Sequence, residues 1–190
     1  MDEIASKLLV IFQNVNEWLK FAEAKNAILL AFSGAGITAT ITLLATVEKL
    51  PNSLRIGLLL TTSLLCISAL ICSLSFIPKT NLERLLWVQT MPERNSTFAI
   101  RDTDNFYFFG DLQKYNSQRL LEALNNYYFD NTMLEPFKKE YKDIASQITI
   151  NSRITFLKFR IFTYAIYMLI VSILIIPCSI LISLLIYKTL

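Results

Sequence analysis

Apolar residues are concentrated in three blocks, at residues 26–47, 54–77 and 161–187, and a polar stretch separates the second block from the third. The first and third blocks carry no charge, and the second has one arginine near its start. As a helix, the first block is about 33 Å long, enough to cross a hydrocarbon core of roughly 30 Å. The third is long enough for one tilted span and too short for two. The pattern predicts an all-α membrane protein with three transmembrane helices, arranged as an N-terminal hairpin (26–77) and a long C-terminal helix.

The first 25 residues have the periodicity of an amphipathic helix, with apolar positions at Ile4, Leu8, Ile11, Val15 and Leu19. Their charge is mixed and near zero, which favours packing against other helices over binding to a lipid surface. We therefore predict that residues 1–25 form a helix outside the membrane, in contact with the other polar part of the chain.

The polar stretch, residues 78–157, is predicted to be a small, mainly helical region. Residues 117–128 have one apolar side, formed by Leu120, Leu121, Leu124 and Tyr128. Thr132 and Glu135 have the spacing of a capping box, and no strong helix breaker follows before Pro177. One long helix is therefore expected from about residue 133 into the membrane, so that residues 158–190 hold the third span and a short tail.

Small residues mark one side of the first apolar block, and we interpret them as a helix-packing face consisting of Ala27, Ala31, Gly34, Ala35, Thr38 and Ala39. Small side chains let helix backbones approach closely in a membrane. The pattern is compatible with packing inside the hairpin and with self-association of protomers, and it does not choose between them.

Positive charges near the ends of the spans predict the orientation. Three spans place the N-terminus and residues 78–157 on one side, which carries Lys20, Lys25, Lys79, Arg84, Arg153, Lys158 and Arg160. The other side carries Lys49, Arg55 and Lys188. Because positive residues accumulate on the cytoplasmic side, the N-terminus and residues 78–157 are expected in the cytoplasm and the C-terminus outside it.

Composition argues against several classes of function. The chain has no histidine, a net charge of only +3, and three cysteines that lie inside apolar blocks without a CxxC pair. These features disfavour enzymatic catalysis, a metal site, a cofactor and nucleic-acid binding. The acidic pair Asp102 and Asp104 is better explained as a solvated turn than as paired catalytic carboxylates.

An aromatic run at residues 106–109 stands out in the polar region. The pattern alone favours a structural role, in a core strand or against the membrane interface. The alternative is a wall on which a nucleobase stacks, with basic side chains at the phosphate. The residues of this possible ligand site are Arg84, Arg94, Arg101, Phe106, Phe108, Lys114 and Arg119.

Three stretches in this order, residues 21–31 (FAEAKNAILLA), 105–111 (NFYFFGD) and 147–160 (QITINSRITFLKFR), resemble the Pycsar transmembrane effector family of bacterial anti-phage defence. The resemblance implies a homo-oligomeric effector of the bacterial inner membrane. A partner nucleotide cyclase would make cyclic UMP or cyclic CMP, and the effector would respond by impairing the lipid bilayer, causing abortive infection. Two alternatives remain: a membrane effector of a cyclic-oligonucleotide defence system, and a non-catalytic membrane scaffold. Pore formation and general bilayer disruption are both compatible with these features.

Overall fold

The computed structural model describes residues 2–48, 50–77 and 100–187, with side chains to residue 185. Within these ranges every regular element is helical. Three of the helices are long and apolar enough to span a membrane, with windows of mean hydropathy 1.9, 2.2 and 2.8. The predicted fold class, an all-α membrane protein with three spans, is thus confirmed. The elements are α1 (Glu3–Thr46), α2 (Asn52–Leu74), α3 (Phe109–Leu112), α4 (Ser117–Tyr128) and α5 (Lys139–Tyr187).

Two of the helices are longer than a single membrane span. α1 joins the predicted N-terminal helix and the first span in one uninterrupted helix, since no proline lies between residues 3 and 46. α5 begins at Lys139, six residues later than the sequence predicted. The preceding residues form turns instead, because the buried side chain of Asn125 bonds both to the backbone N–H of Met133, at 2.9 Å, and to its carbonyl. This clamp directs Met133 and Phe137 into the core.

The chain divides into two compact units. The first contains residues Met1–Ala22 and Pro78–Phe159, and the second contains Glu23–Ile77 and Arg160–Leu190. The core of the first unit is apolar, and α1 contributes Leu8, Ile11 and Val15 to it with no exposed surface. This confirms the predicted packing side of the N-terminal helix. The remaining large contributors come from the chain after residue 105, among them Leu112, Tyr115, Leu120, Leu121, Leu124, Tyr141 and Ile148.

Small and polar residues are buried at intervals of seven along all three helices of the second unit. We call these positions the hydroxyl seam: Asn26, Ser33 and Thr40 in α1; Thr61 and Ser68 in α2, with Ser75 at its C-cap; Ala165, Ser172 and Ser179 in α5. A spacing of seven keeps positions on one side of a helix that faces a neighbouring helix. Two hydrogen bonds along the seam connect the three helices: Ser33 donates to the Ser68 hydroxyl at 3.2 Å, and Ser68 donates to the Ala165 carbonyl at 2.9 Å.

Three of the seam hydroxyls also donate a hydrogen bond to a carbonyl of their own helix. Thr40 donates to the carbonyl of Gly36, Ser172 to that of Leu169 and Ser179 to that of Ile175. Gly57 brings α2 very close to α5, because a β-carbon at this position would collide with the Ser179 hydroxyl. Small side chains therefore permit the close approach of these helices, as is typical of membrane bundles.

The predicted helix-packing face does not mediate packing inside the hairpin. All six of its members are exposed in the structure: Ala27, Ala31, Gly34, Ala35, Thr38 and Ala39. The contacts within the second unit are made by another side of α1, which carries Leu29 and the seam residues. The intramolecular interpretation of the small face is wrong for this reason, and self-association stays a prediction.

Candidate functional site

The described members of the predicted ligand site do not share one environment. Arg84 and Arg94 lie outside the described residues. Arg101, Phe108 and Arg119 are exposed, while Phe106 is buried in the core and Lys114 is half-buried. The structure therefore gives these residues different environments, and the two whose surroundings are best defined, Lys114 and Phe106, are held by intramolecular contacts.

Lys114 is held in a network of carboxylates. Its Nζ atom lies 2.8 Å from Asp104 Oδ1 and 2.6 Å from Asp111 Oδ1. The Asp104 side chain is 4% exposed and also accepts a hydrogen bond from the Tyr115 hydroxyl at 3.1 Å. Burial raises the pKa of Asp104, but hydrogen bonds from Lys114, the Arg101 amide and Tyr115 outweigh it, and the net pKa is lowered. Asp104 is thus a buried structural carboxylate, and the predicted solvated turn is wrong for its side chain.

The aromatic run divides between two environments. Phe106 faces the core, where its ring contacts Tyr115 at 5.7 Å and Tyr128 at 5.5 Å between centroids. Phe108 is 41% exposed and packs edge-on against Trp18.

The last residue of the run, Phe109, stacks on Phe159 at 5.0 Å with an angle of 10° between the rings. With its neighbours it forms an aromatic cluster of Trp18, Phe21, Phe108, Phe109 and Phe159. Edge-to-face and offset-stacked ring pairs of this kind stabilise a packed aromatic cluster. The run is therefore not a single stacking wall.

A cleft of about 370 Å³ lies between the start of α1 and the end of α4. Its lining consists of Glu3, Ser6, Lys7, Val10, Tyr128 and Phe129. We call it the Lys7 cleft, after the cation in its lining. A second cleft, of about 300 Å³, lies between α1 and the start of α5, and its lining includes Leu9, Phe12 and Asp143.

Lys7 is held by aromatic rings. Its ammonium lies 5.4 Å from the ring centroid of Tyr107 and 5.1 Å from that of Tyr128. A hydrogen bond with Tyr107 raises the pKa of Lys7. The sequence analysis missed this residue, because helical periodicity places Lys7 only on the polar side of an amphipathic helix. Its aromatic neighbours are far away in sequence, and no local spacing indicates them.

Metal ligation has no support in the described ranges, where histidine is absent and no group of three cysteine or carboxylate side chains could hold an ion. The lining of the Lys7 cleft instead suits an organic anion, because it combines one protonated amine, aromatic rings, and hydroxyl and carboxylate acceptors.

Comparison with known proteins identifies the family. A family model described as the Pycsar effector protein domain matches residues 7–186. The chain belongs to the Pycsar effector family. It is 28% identical over 146 residues, covering 77% of each chain, to the Pycsar effector protein RsPycTM of a Rhizobium species. No solved structure matches the chain.

Membership in the Pycsar effector family makes this chain an anti-phage defence effector, and its three apolar helices make it a membrane protein with the lipid bilayer as partner. The matched range includes the Lys7 cleft from Lys7 onward, the aromatic cluster and the hydroxyl seam. The resemblance seen in the sequence is thereby confirmed at the level of the family.

Proposed function

We propose that this Pycsar effector impairs the bacterial inner membrane in response to cyclic UMP or cyclic CMP, and that this causes abortive infection. Family membership is the observation that carries the proposal. The effector has no catalytic role in this scheme, and a nucleotide cyclase is its functional partner. A ligand can drive such a change only if it binds two states of the effector with different affinities.

Two helices are shared between the units, since α1 and α5 each contribute residues to both. We propose that a ligand bound in the first unit acts on the membrane through these helices.

The proposed function is tested by measuring membrane potential in cells that carry the effector and a pyrimidine nucleotide cyclase during phage attack. A voltage-sensitive dye should report depolarisation before lysis, and an inactive cyclase should abolish it. A potential that stays unchanged while the cyclic nucleotide accumulates would refute the proposal. Titration of the purified effector with cyclic oligonucleotides would reveal the alternative signal class.

We further propose that protomers associate through the small face of α1. Its alanines and Gly34 are exposed in the apolar part of the helix, and no atom of another described segment lies within 4 Å of the position where a Gly34 β-carbon would be. Thr38 donates to the Gly34 carbonyl at 3.1 Å, so its hydroxyl is already satisfied when another helix approaches. Close backbone contact is the usual consequence of such surfaces in lipid.

The proposed orientation places the N-terminus and residues 78–157 in the cytoplasm and the C-terminus in the periplasm. A reporter enzyme that works only in the periplasm should be active when fused after Leu190 and inactive when fused after Asn116. The reverse result would invert the topology.

A further inference from the structure

The Lys7 cleft combines features that suit a small anion with an aromatic ring. Its volume of about 370 Å³ falls within the ~300–1,000 Å³ usual for small-molecule sites. It is built from the first turns of α1 and the end of α4, so both sides stand on helices packed into the core of the first unit.

The cation in the cleft is fixed in place and remains charged. Lys7 lies over two tyrosine rings, which restrict its long side chain and attract its positive charge. Within the described ranges Lys7 belongs to no ion pair, in contrast to Lys114. An anionic oxygen that enters the cleft would therefore meet a protonated amine that is in no ion pair with any described residue.

Part of the aromatic surface of the cleft is exposed beside Lys7. Tyr128 is 41% exposed, and Phe106 holds its ring from the core side by an edge-to-face contact. Phe129 is half-buried beside it. Because a nucleobase stacks on aromatic side chains regardless of its identity, these residues give affinity without strict selection of the base.

Two further lining residues provide acceptors. The Ser6 hydroxyl donates to the Asp2 carbonyl at 3.1 Å, which leaves its lone pairs for a donor on the ligand. Glu3 places an exposed carboxylate at the same edge. A carboxylate is the group that accepts a hydrogen bond from a ribose hydroxyl in many nucleotide sites.

The second cleft lacks this chemistry. Among its described lining residues only Asp143 is charged, so an anion would find no cation there, whereas the Lys7 cleft has Lys7 in addition to the Glu3 carboxylate. Resting on the proposed function, we infer that the Lys7 cleft binds a cyclic pyrimidine mononucleotide, with Lys7 at the phosphate and Tyr128 and Phe129 along the base.

The test is calorimetric titration of the full-length effector in lipid nanodiscs with cyclic UMP and, separately, cyclic CMP. Lys7→Gln removes the cation, and Lys20→Gln is its control, since Lys20 is exposed on the same helix outside either cleft. Val10→Trp fills the Lys7 cleft, and Leu9→Trp is its control. Leu9 and Val10 are adjacent and similarly exposed, at 42% and 52%, but line different clefts. Thermal unfolding of each variant checks that it is folded.

We expect Lys7→Gln to weaken binding about tenfold or more, equivalent to about 1.4 kcal/mol. Val10→Trp should abolish binding, while both control variants should bind as the wild type does. If the wild type binds and all four variants match it, the cleft assignment is overturned while the proposed function stands. If the wild type binds neither nucleotide, both fail. Loss of binding in Leu9→Trp with retention in Val10→Trp would move the site to the second cleft.

Discussion

Replacing Lys114 by methionine would leave the Asp104 carboxylate inside the protein without its cation. The carboxylate is 4% exposed, and its remaining hydrogen bonds come from the Tyr115 hydroxyl, at 3.1 Å, and the Arg101 amide, at 3.2 Å. Breaking a buried pair by removing one partner costs about 3–5 kcal/mol. Because these two donors remain, we expect the low end, about 3 kcal/mol. For a chain of this length that corresponds to a fall in Tm of about 6–12 °C.

The pH dependence of this effect has a definite sign. In the wild type, the folded-state pKa of Asp104 is below its ordinary value of 3.8, so its stabilisation is present at neutral pH and lost as pH falls through that region. Without Lys114, burial dominates and raises the pKa of Asp104. The protonated form then becomes the better buried species, and mild acidification should relieve the destabilisation.

The assay is thermal unfolding of the purified protein in detergent, followed by circular dichroism at about pH 7 and about pH 5, above the ordinary carboxyl range. The difference in Tm between wild type and Lys114→Met should be smaller at the lower pH. Lys20→Met, at an exposed position, should match the wild type at both values. Equal differences at the two pH values, or a loss of less than about 1 kcal/mol, would show that the pair does not have the buried character described here.

Three further predictions concern packing. Ser68→Leu should destabilise the transmembrane unit and abolish toxicity in a growth assay, since the buried hydroxyl bonds to both neighbouring helices. Ser63→Leu, on the exposed side of α2, should leave both stability and toxicity unchanged. Combined Ala31→Leu and Ala35→Leu should abolish toxicity while membrane insertion is retained, and persistent toxicity would exclude the small face from the mechanism. Asn125→Ala should lower the free energy of unfolding by about 2 kcal/mol, because the backbone N–H and carbonyl of Met133 both lose their side-chain partner; an unchanged Tm would contradict the clamp.

Hydrophobic length and periodicity predict the three spans and α4. The three spans follow from uncharged or nearly uncharged blocks, and α4 occupies the predicted residues 117–128. Its start is well marked, because Asn116 accepts a hydrogen bond from the Arg119 amide at 2.8 Å. Local signals of this kind need no knowledge of the tertiary structure.

The faces of the spans are harder to predict. Small residues at intervals of four indicate a contact surface in α1, whereas the hairpin uses positions at intervals of seven, such as Ser33 and Thr40. Both patterns are present in the sequence. In water the buried face is the apolar one, but in lipid small residues such as Gly, Ala, Ser and Thr mark helix contacts, and both of these faces of α1 carry them, so composition alone cannot rank the two faces.

The clefts depend on contacts between distant parts of the chain. Lys7 meets Tyr128 across more than half of the sequence, and no spacing rule connects them. The run from Phe106 to Phe109 is misleading for a related reason. A loop has no fixed periodicity, so the pattern does not show that Phe106 faces inward while Phe108 faces solvent.

The hydroxyl seam has a consequence for how easily the three helices can part. A hydrogen bond from Thr40, Ser172 or Ser179 to its own helix moves with that helix, so separation leaves each of these donors satisfied. Separation would also expose the leucines buried beside the seam, Leu29, Leu65 and Leu169. The cost of parting the helices therefore lies mainly in this apolar surface and in the Ser33–Ser68–Ala165 hydrogen bonds, and not in the donors that stay bonded to their own helix.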